Sequence, residues 1–322
     1  MKYPSIIEIQ FHNICNSYCS ICPYEKYASI NTFQKMNNHL KTKILEDLKC
    51  HQKYIKRIIP YYNNEPFVEN DFINTLRWFK KNLPNVKLEV STNLSLCKKE
   101  QLEAIISENL IDDFRISFFG GTEETYKKMM PRLNFQKNIQ QLNMFFEVRK
   151  KINPLFPYML IMVLLPQLDI KKERYALNEL FPNEKINYHF FGYLDRAGSN
   201  KEINSKISDT IKDVQLAGCS LNRNTERLCI CFDGRVPLCS QDWFCEANIG
   251  NLEKQDISDI WNSKEREIIN NKVSGMLSSE KDFICKRCKL ARLKLEGDIK
   301  LNFCGDRYTT QNDKKKLEEI DD

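Results

Sequence analysis

The sequence has no apolar run long enough to cross a lipid bilayer. Its longest run, YMLIMVLL at 158–165, falls well short of the roughly 20 residues that a transmembrane helix needs. The first residues, MKYPSIIEIQFHN, also lack the basic start, apolar middle and small-residue cleavage site of a signal peptide. These absences predict a cytoplasmic protein with no membrane partner.

The chain also lacks a strong excess of either charge. Its 49 Lys and Arg residues against 43 Asp and Glu residues give a formal net charge of +6, and the basic residues are spread along the chain. A solvated, lysine-rich surface accounts for this distribution without a polyanionic partner. We therefore expect no nucleic-acid partner.

Apolar, β-branched runs alternate with segments of helical periodicity through residues 1–200. The predicted strands lie at 5–11, 57–62, 87–92, 114–119, 158–165 and 186–191. The predicted helices lie between them, at 40–50, 67–81, 99–108, 135–151 and 171–180. This alternation predicts an α/β fold in which six strand–helix units form a parallel sheet curved into a partial barrel.

After residue 200 the regular alternation stops. DGRVPLC and ANIGN have the composition of hairpin turns, and DISDIWNSKEREIINN predicts a helix. We interpret residues 201–305 as a small irregular module that needs bound metal for stability. Residues 306–322 are predicted to be a charged tail.

Cysteine usage is the most informative feature of the composition. The chain has 13 cysteines, several of them in C-x2-C pairs that suit metal ligation better than disulfides in a reducing compartment. Cys15, Cys19 and Cys22 form a C-x3-C-x2-C triplet just after the first predicted strand. A zinc site would need a fourth ligand, for which His12 is the nearest candidate. A [4Fe-4S] cluster bound by three thiolates would instead keep one iron open.

This triplet resembles that of the radical SAM superfamily, whose members carry C-x3-C-x2-C after the first strand of a partial barrel. The resemblance implies that Cys15, Cys19 and Cys22 hold a [4Fe-4S] cluster and that S-adenosylmethionine binds its open iron. It also implies an enzyme that splits S-adenosylmethionine with one electron and releases a 5′-deoxyadenosyl radical. A flavodoxin or ferredoxin-type protein would supply the electron.

The resemblance further implies S-adenosylmethionine contacts at the ends of the predicted strands. YYNNEPF stands where the family usually has Gly-Gly-Glu, and Glu65 retains the acceptor that the methionine ammonium needs. The two glycines and the aromatic residue that often precedes the third cysteine are absent. A Ser-Thr-Asn run after a strand is also typical of a turn or a helix cap. The cofactor-binding residues that the resemblance implies are Ile21, Asn64, Glu65, Ser91, Asn93 and Ser117.

A second set of cysteines resembles the SPASM and shorter twitch extensions of radical SAM enzymes. It combines a cysteine, a glycine and a cysteine in the pattern C-x(9–15)-G-x4-C with a later C-x2-C pair. Lys294 and Asp298 replace two further cysteines of the full SPASM pattern, which favours one auxiliary cluster. Such a fully ligated [4Fe-4S] cluster exchanges electrons but binds no substrate. Its implied ligands are Cys219, Cys239, Cys285 and Cys288.

Two alternatives stay open for this second set. Separated cysteine pairs are also the signature of a structural zinc site. Cys245 or Cys304 could also replace one of the four implied ligands.

The arrangement of the two cysteine sets resembles most closely the radical SAM dehydrogenases that act on aminocyclitols and sugars. By that resemblance the protein is an oxidoreductase for a small polar substrate, a sugar or cyclitol alcohol, with the auxiliary cluster as electron acceptor. Arg196 in LDRAGSN resembles a position where an arginine faces the substrate, although a surface arginine in a turn is the alternative reading. Tyr24, Glu25 and Asp195 are candidates for the base.

Two other functions are compatible with the sequence. A maturase that crosslinks, epimerises or oxidises a ribosomal peptide would use the same cofactors. Such enzymes often carry an N-terminal peptide-recognition domain, whereas this chain enters its first predicted strand at residue 5. A zinc-stabilised binding protein without catalysis is the other alternative.

Overall fold

The computed structural model of the chain describes residues 2–200, 215–295 and 298–300. Cys304, the predicted tail at 306–322 and the start of the predicted C-terminal module at 201–214 lie outside the described residues.

Six parallel strands alternate with helices in the N-terminal part of the chain. The strands are β1 (Ile6–Ile9), β2 (Arg57–Ile59), β3 (Lys87–Thr92), β4 (Asp113–Ser117), β5 (Tyr158–Leu164) and β6 (Tyr188–Gly192). The helices are α1 (Tyr24–Ile30), α2 (Asn38–Cys50), α3 (Phe72–Asn82), α4 (Lys99–Ser107), α5 (Glu123–Met129), α6 (Phe135–Ile152) and α7 (Ile170–Leu180). The six predicted strands and five predicted helices are confirmed; α1 and α5 are additional.

Side-chain caps decide where several of these helices begin. Asn37 accepts a hydrogen bond from the backbone N–H of Leu40 at the start of α2, and Asn134 does the same for Lys137 at the start of α6. Such caps satisfy N–H groups that have no partner inside the helix. The helix predicted from residue 67 begins only at Phe72, because Pro66–Val68 forms a separate 3₁₀ turn.

The C-terminal part consists of short elements. They are β7 (Gln215–Cys219), α8 (Arg223–Glu226), β8 (Arg227–Ile230), β9 (Arg235–Pro237), β10 (Asn248–Asn251), α9 (Ile257–Trp261), α10 (Lys264–Ser274), β11 (Ala291–Leu295) and β12 (Asp298–Lys300). β9 and β10 form an antiparallel pair, and β7, β11 and β12 form a small antiparallel sheet. The single helix predicted at 256–271 is two helices, because Ser263 caps a new start for α10.

A seventh strand from the C-terminal part completes the parallel sheet. The strand order is β6-β5-β4-β3-β2-β1-β8, and β8 pairs in parallel with β1. A buried ion pair between Arg227 and Glu8 joins the two strands. The C-terminal part is therefore fastened directly to the barrel. This strand was not predicted from the sequence, because its four residues are too few to show a periodic pattern.

Residues along the strands point alternately to the apolar core, between the sheet and the helices, and to the polar inner face of the curved sheet. On β4, Phe114 and Ile116 are fully buried in the core between the sheet and its helices. Arg115 and Ser117 point to the opposite face and line the cavity inside the curved sheet. Parallel strands are usually apolar on both faces, so the polar inner face marks this cavity as a site. In the described part of the chain, no helix is long and apolar enough to cross a membrane.

Candidate active site

The cysteine triplet lies in the loop between β1 and α1, at the carboxyl end of β1. The hydroxyl of Tyr24 accepts a hydrogen bond from the backbone N–H of Cys15 at 2.6 Å and donates one to the carbonyl oxygen of Asn13 at 2.9 Å. The backbone N–H of Cys22 donates to the carbonyl oxygen of Cys19 at 2.9 Å. The loop is thus held by its own backbone and by the first residue of α1.

The three half-buried cysteines form a donor set that suits a metal cluster. Burial raises the pKa of the Cys15 thiol most, followed by the charge of Glu65. Burial and then Cys22 raise the pKa of Cys19. Burial also raises the pKa of Cys22, although the charge and a hydrogen bond of Arg196 oppose the shift. Buried, neighbouring thiolates need a cationic partner, which iron supplies. The residues therefore fit a [4Fe-4S] cluster.

His12 is poorly placed to complete a zinc site with this triplet. Its Nδ1 accepts a hydrogen bond from the backbone N–H of Ile14 at 3.2 Å, and its Nε2 lies 3.3 Å from the side-chain amide of Asn64. Burial and the nearby charge of Lys35 lower the pKa of His12 to about 4. Both ring nitrogens are engaged within the loop structure, so neither is directed at the cysteines.

Glu65 braces the loops that follow β2 and β3. Its Oε1 accepts hydrogen bonds from the hydroxyl of Thr92 at 2.6 Å and the backbone N–H of Phe67 at 3.2 Å. Its Oε2 accepts from the backbone N–H of Asn93 at 2.9 Å. Burial raises the pKa of Glu65 to about 7 despite these bonds. Its predicted contact with the methionine amino group stays a prediction.

Asn93 connects the loop after β3 to the cysteine loop. Its side-chain amide donates to Oδ1 of Asn16, between the first two cysteines, at 2.9 Å. Asn16 in turn donates to the hydroxyl of Ser95 at 2.8 Å. Asn16 was missed in the sequence analysis, since a lone asparagine in a loop carries no distinguishing pattern.

A cavity inside the curved sheet brings together four of the predicted site residues. Ile21, Ser91, Ser117 and Arg196 all line it, and the hydroxyl oxygens of Ser91 and Ser117 are 3.4 Å apart. The described lining does not include Asn64, Glu65 or Asn93, which lie in the loops that follow β2 and β3. The candidate bases Tyr24, Glu25 and Asp195 are likewise outside that lining.

Charged residues that the sequence analysis did not select also line this cavity. Glu89 on β3 forms ion pairs with Arg115 and with Arg57, each at 2.7 Å. Arg115 and Arg57 also contact Asp113, at 2.7 and 2.9 Å. Glu8 in SIIEIQF, Glu89 in KLEVST and Arg115 in FRISFF were the available signal. Each is a charged residue inside an apolar strand pattern, and a strand turns alternate residues to opposite faces. The other missed charged residues in the lining are Glu8, Arg223 and Arg227.

Arg196 lies in a loop with unusual backbone geometry after β6. Arg196 and Ala197 have φ values of 51° and 52°, and Gly198 follows with 75°. Two consecutive non-glycine residues in the left-handed region carry strain that the surrounding structure must offset. Arg287 donates to the carbonyl oxygen of Ala197 at 2.8 Å and so holds the loop from the C-terminal part. The guanidinium of Arg196 lies 5.7 Å from the Trp243 ring.

A second cavity contains the four cysteines implied as auxiliary ligands. Cys219 ends β7, Cys239 follows β9, Cys285 lies in the 3₁₀ turn Ile284–Arg287, and Cys288 directly follows that turn. Burial raises the pKa of Cys239 to about 12, although the charge of Arg223 opposes the shift. Burial also raises the pKa of Cys285 and Cys288. Four half-buried cysteines around one small cavity fit a fully ligated cluster.

Among the residues that the structure describes, no three His, Cys, Asp or Glu side chains are close enough to ligate a single ion. The four thiolates of a [4Fe-4S] cluster bind four different irons and need not converge on one point.

Comparison with known proteins decides the family. Residues 9–176 match the family model of the radical SAM superfamily. The chain belongs to the radical SAM superfamily. Residues 219–289 match SPASM, an iron-sulfur cluster-binding domain. This radical SAM protein therefore uses [4Fe-4S] clusters and S-adenosylmethionine. A search of curated proteins gave no match.

Solved structures share the fold of this radical SAM protein at low sequence identity. anSMEcpe with bound AdoMet and Kp18Cys peptide has a TM-score of 0.60 at 14% identity, covering 98% of this chain and 96% of that chain. BtrN in complex with AdoMet and 2-DOIA has a TM-score of 0.56 at 16% identity, covering 89% and 93%. SuiB from Streptococcus suis bound to precursor peptide SuiA has a TM-score of 0.58 at 16% identity, covering 90% and 70%.

Three other cysteines of the radical SAM protein lie outside the four-cysteine cavity. Cys229 is buried in β8. Cys231, just after β8, is also buried, and the thiol of Cys245 donates to Oδ1 of Asn248 at 3.7 Å. Cys245 is thus engaged away from the four implied ligands, and its substitution for one of them stays a prediction.

Proposed function

We propose that this radical SAM enzyme oxidises the alcohol of a small polar substrate, a sugar or a cyclitol, to a ketone. Hydrogen would leave the carbinol carbon as an atom, and the hydroxyl would lose a proton. The remaining electron would pass to the auxiliary cluster. When bound, S-adenosylmethionine and the two clusters supply the radical and the electron acceptor.

The observation that carries this proposal is the proximity of the two cavities. Cys239 lines the four-cysteine cavity, and the next residue, Ser240, lines the cavity inside the sheet. An auxiliary cluster ligated by Cys239 would therefore lie one residue from the space available to substrate. This placement supports the role of the auxiliary cluster as electron acceptor for a substrate in the cavity. A redox-neutral reaction would not require such an acceptor.

The residues of the chain have distinct roles in this scheme. Cys15, Cys19 and Cys22 hold the first cluster, and Glu65 and Asn93 keep the loops around it in place. Ile21, Ser91 and Ser117 line the part of the cavity proposed for S-adenosylmethionine. Arg196 presents its guanidinium to the substrate, since planar N–H groups suit hydroxyl and other oxygen acceptors.

Metal analysis is the first test of this assignment. Anaerobically purified protein is expected to contain about eight irons, and the Cys15→Ala/Cys19→Ala/Cys22→Ala variant about four. Four irons with one zinc in the parent protein would remove the electron acceptor and refute the dehydrogenase reaction.

Isotope transfer tests the reaction itself. Sugars and cyclitols deuterated at the carbinol carbon are incubated with enzyme, reductant and S-adenosylmethionine. Deuterium is expected in 5′-deoxyadenosine together with a ketone product. Cys239→Ala is expected to keep uncoupled cleavage of S-adenosylmethionine and to lose the ketone. Ketone formation by Cys239→Ala at the parent rate would contradict the electron-acceptor role.

Modification of a peptide is the second candidate. The fold is shared with anSMEcpe bound to Kp18Cys peptide and with SuiB bound to precursor peptide SuiA. Deuterium transfer from labelled peptides, with none from labelled alcohols, would favour this candidate.

We place the reaction in the cytoplasm, with a flavodoxin or ferredoxin-type protein as reductant. The 13 cysteines of the chain favour a compartment where thiols stay reduced. Cleavage of S-adenosylmethionine also requires a low-potential electron donor.

A further inference from the structure

Arg223 lies between the two cavities of the candidate active site. It is the first residue of α8, which directly precedes β8, and it lines both the cavity inside the sheet and the four-cysteine cavity. Its side chain is 3% exposed. A buried arginine that faces two separate sites is in a position to act on both.

The contacts of Arg223 direct its charge towards the auxiliary site. Its guanidinium donates a hydrogen bond to the hydroxyl of Ser240, next to Cys239 in the chain. The buried guanidinium thus places its positive charge beside the four-cysteine cavity, where burial weakens solvent screening.

We propose that Arg223 is a positioning residue that makes the auxiliary cluster a better electron acceptor and orients the substrate oxygen beside it. A fixed positive charge stabilises whichever state carries an additional electron, so it raises the reduction potential of a neighbouring cluster. On the other side, its N–H groups suit a substrate oxygen that gains negative charge as its proton leaves.

The substrate half of this inference rests on the proposed dehydrogenase function, whereas the cluster half does not. In the balanced step, the substrate has lost a hydrogen atom from carbon and a proton from oxygen. It then loses one electron to the auxiliary cluster, and the C–O bond becomes a carbonyl. Arg223 forms and breaks no covalent bond in this step.

The test measures the reduction potential of the auxiliary cluster alone. The Cys15→Ala/Cys19→Ala/Cys22→Ala protein retains only that cluster, and its potential is obtained by redox titration followed by electron paramagnetic resonance. Adding Arg223→Gln is expected to shift the potential to a more negative value. Adding Arg223→Lys, which keeps the charge, is expected to give a smaller shift. An unchanged potential in Arg223→Gln with intact iron content would overturn the inference.

Arg266 provides a matched control in the same part of the chain. It is also buried, at 8% exposure. Its guanidinium packs on the Trp261 ring at 3.3 Å and donates to the carbonyl oxygen of Asn224 at 2.7 Å, but Arg266 itself lines neither cavity in the described residues. Arg266→Gln is expected to leave the potential unchanged. A shift as large as that of Arg223→Gln would indicate a general effect of removing a buried arginine and would refute the specific role.

Ser240→Ala is a second variant for the same measurement, in case the Arg223→Gln protein does not assemble its auxiliary cluster. This change removes the hydroxyl that accepts the hydrogen bond from Arg223 but leaves the arginine in place. A smaller negative shift is expected, and no shift would count against the inference. Failure of the deuterium-transfer test with a shifted potential would refute the dehydrogenase reaction while leaving the cluster half of the inference intact.

Discussion

Removal of the Glu173 carboxylate is expected to destabilise the loop that follows β4. Glu173 lies on α7 and is 3% exposed. Its Oε2 accepts hydrogen bonds from the backbone N–H groups of Gly121 at 2.7 Å and Thr122 at 2.8 Å. Its Oε1 accepts from the hydroxyl of Thr125 at 2.6 Å. One carboxylate thus holds the turn and the first residues of α5.

The magnitude follows from what Glu173→Ala leaves behind. A buried donor without a partner costs about 1–3 kcal/mol, and bonds to a charged acceptor are at the upper end of hydrogen-bond strengths. Two backbone N–H groups lose their acceptor, and Thr122 is partly accessible to water. We expect the free energy of unfolding to fall by about 3–5 kcal/mol. Glu173→Gln retains one oxygen and is expected to show about half of this loss.

Two measurements check this expectation. Anaerobic urea unfolding of the cluster-loaded protein gives the loss of stability, and hydrogen exchange of the peptide covering 118–126 shows whether the loop opens. Glu179→Ala is the matched control, since Glu179 is exposed on the same helix, and should change stability by less than about 0.5 kcal/mol. A cost below about 1 kcal/mol for Glu173→Ala, with unchanged exchange, would refute the reasoning.

Three further predictions follow from other contacts. Tyr24→Phe removes the hydroxyl that accepts a hydrogen bond from the Cys15 N–H, so the free energy of unfolding should fall by about 1–3 kcal/mol. The loosened cysteine loop should also release iron to a chelator faster. Burial tends to raise the pKa of Asp113, but its two arginine partners hold that pKa below 3.8. Its stabilisation is therefore present above pH 3.8 and lost as the pH falls through the lowered pKa; Asp113→Asn should lessen this acid-side loss in unfolding experiments. Gly121→Ala would place Cβ 1.8 Å from the carbonyl oxygen of Glu173 and should cost about 1–3 kcal/mol in thermal unfolding.

Each of these predictions has a result that would contradict it. Tyr175 is an exposed tyrosine, and Tyr175→Phe should release iron at the parent rate. Equal release by the Tyr24 variant would show that its hydroxyl does not hold the loop. Parallel stability profiles for Asp113→Asn and the parent protein would exclude the linkage. An unchanged melting temperature for Gly121→Ala would show that the loop relaxes without cost.

The parallel sheet was predictable because its strands carry strong local patterns. YMLIMVLL and FRISFF are apolar, β-branched or aromatic, and helix-period segments separate the strands. The helix break at Ser263 was not apparent, because the capping residue lies inside an otherwise continuous helical pattern. The seventh strand was missed for a different reason. Its position depends on pairing with β1, more than 200 residues away in the chain, and such pairing leaves no local signal.

The candidate site was likewise only partly predictable from the sequence. Spacing alone was enough to select the cysteine triplet, since thiolates for one cluster must be close in a single loop. The lining of the cavity was only partly accessible, because residues such as Glu8 and Arg227 come from strands far apart in sequence. Inward charges on β1, β3 and β4 were visible as exceptions to apolar patterns, yet their ion-pair partners were not.

The sequence by itself determined the chemistry of this protein: a cysteine triplet after a first strand, a second cysteine set and an alternating α/β pattern are local properties of the chain. Tertiary structure alone decided what surrounds that chemistry. Pairing of β8 with β1 brings the C-terminal part against the barrel and places Cys239 and Ser240 on two adjoining cavities. Arg223 acquires its position between them in the same way. Such proximity arises from long-range pairing and burial, which local sequence patterns do not encode.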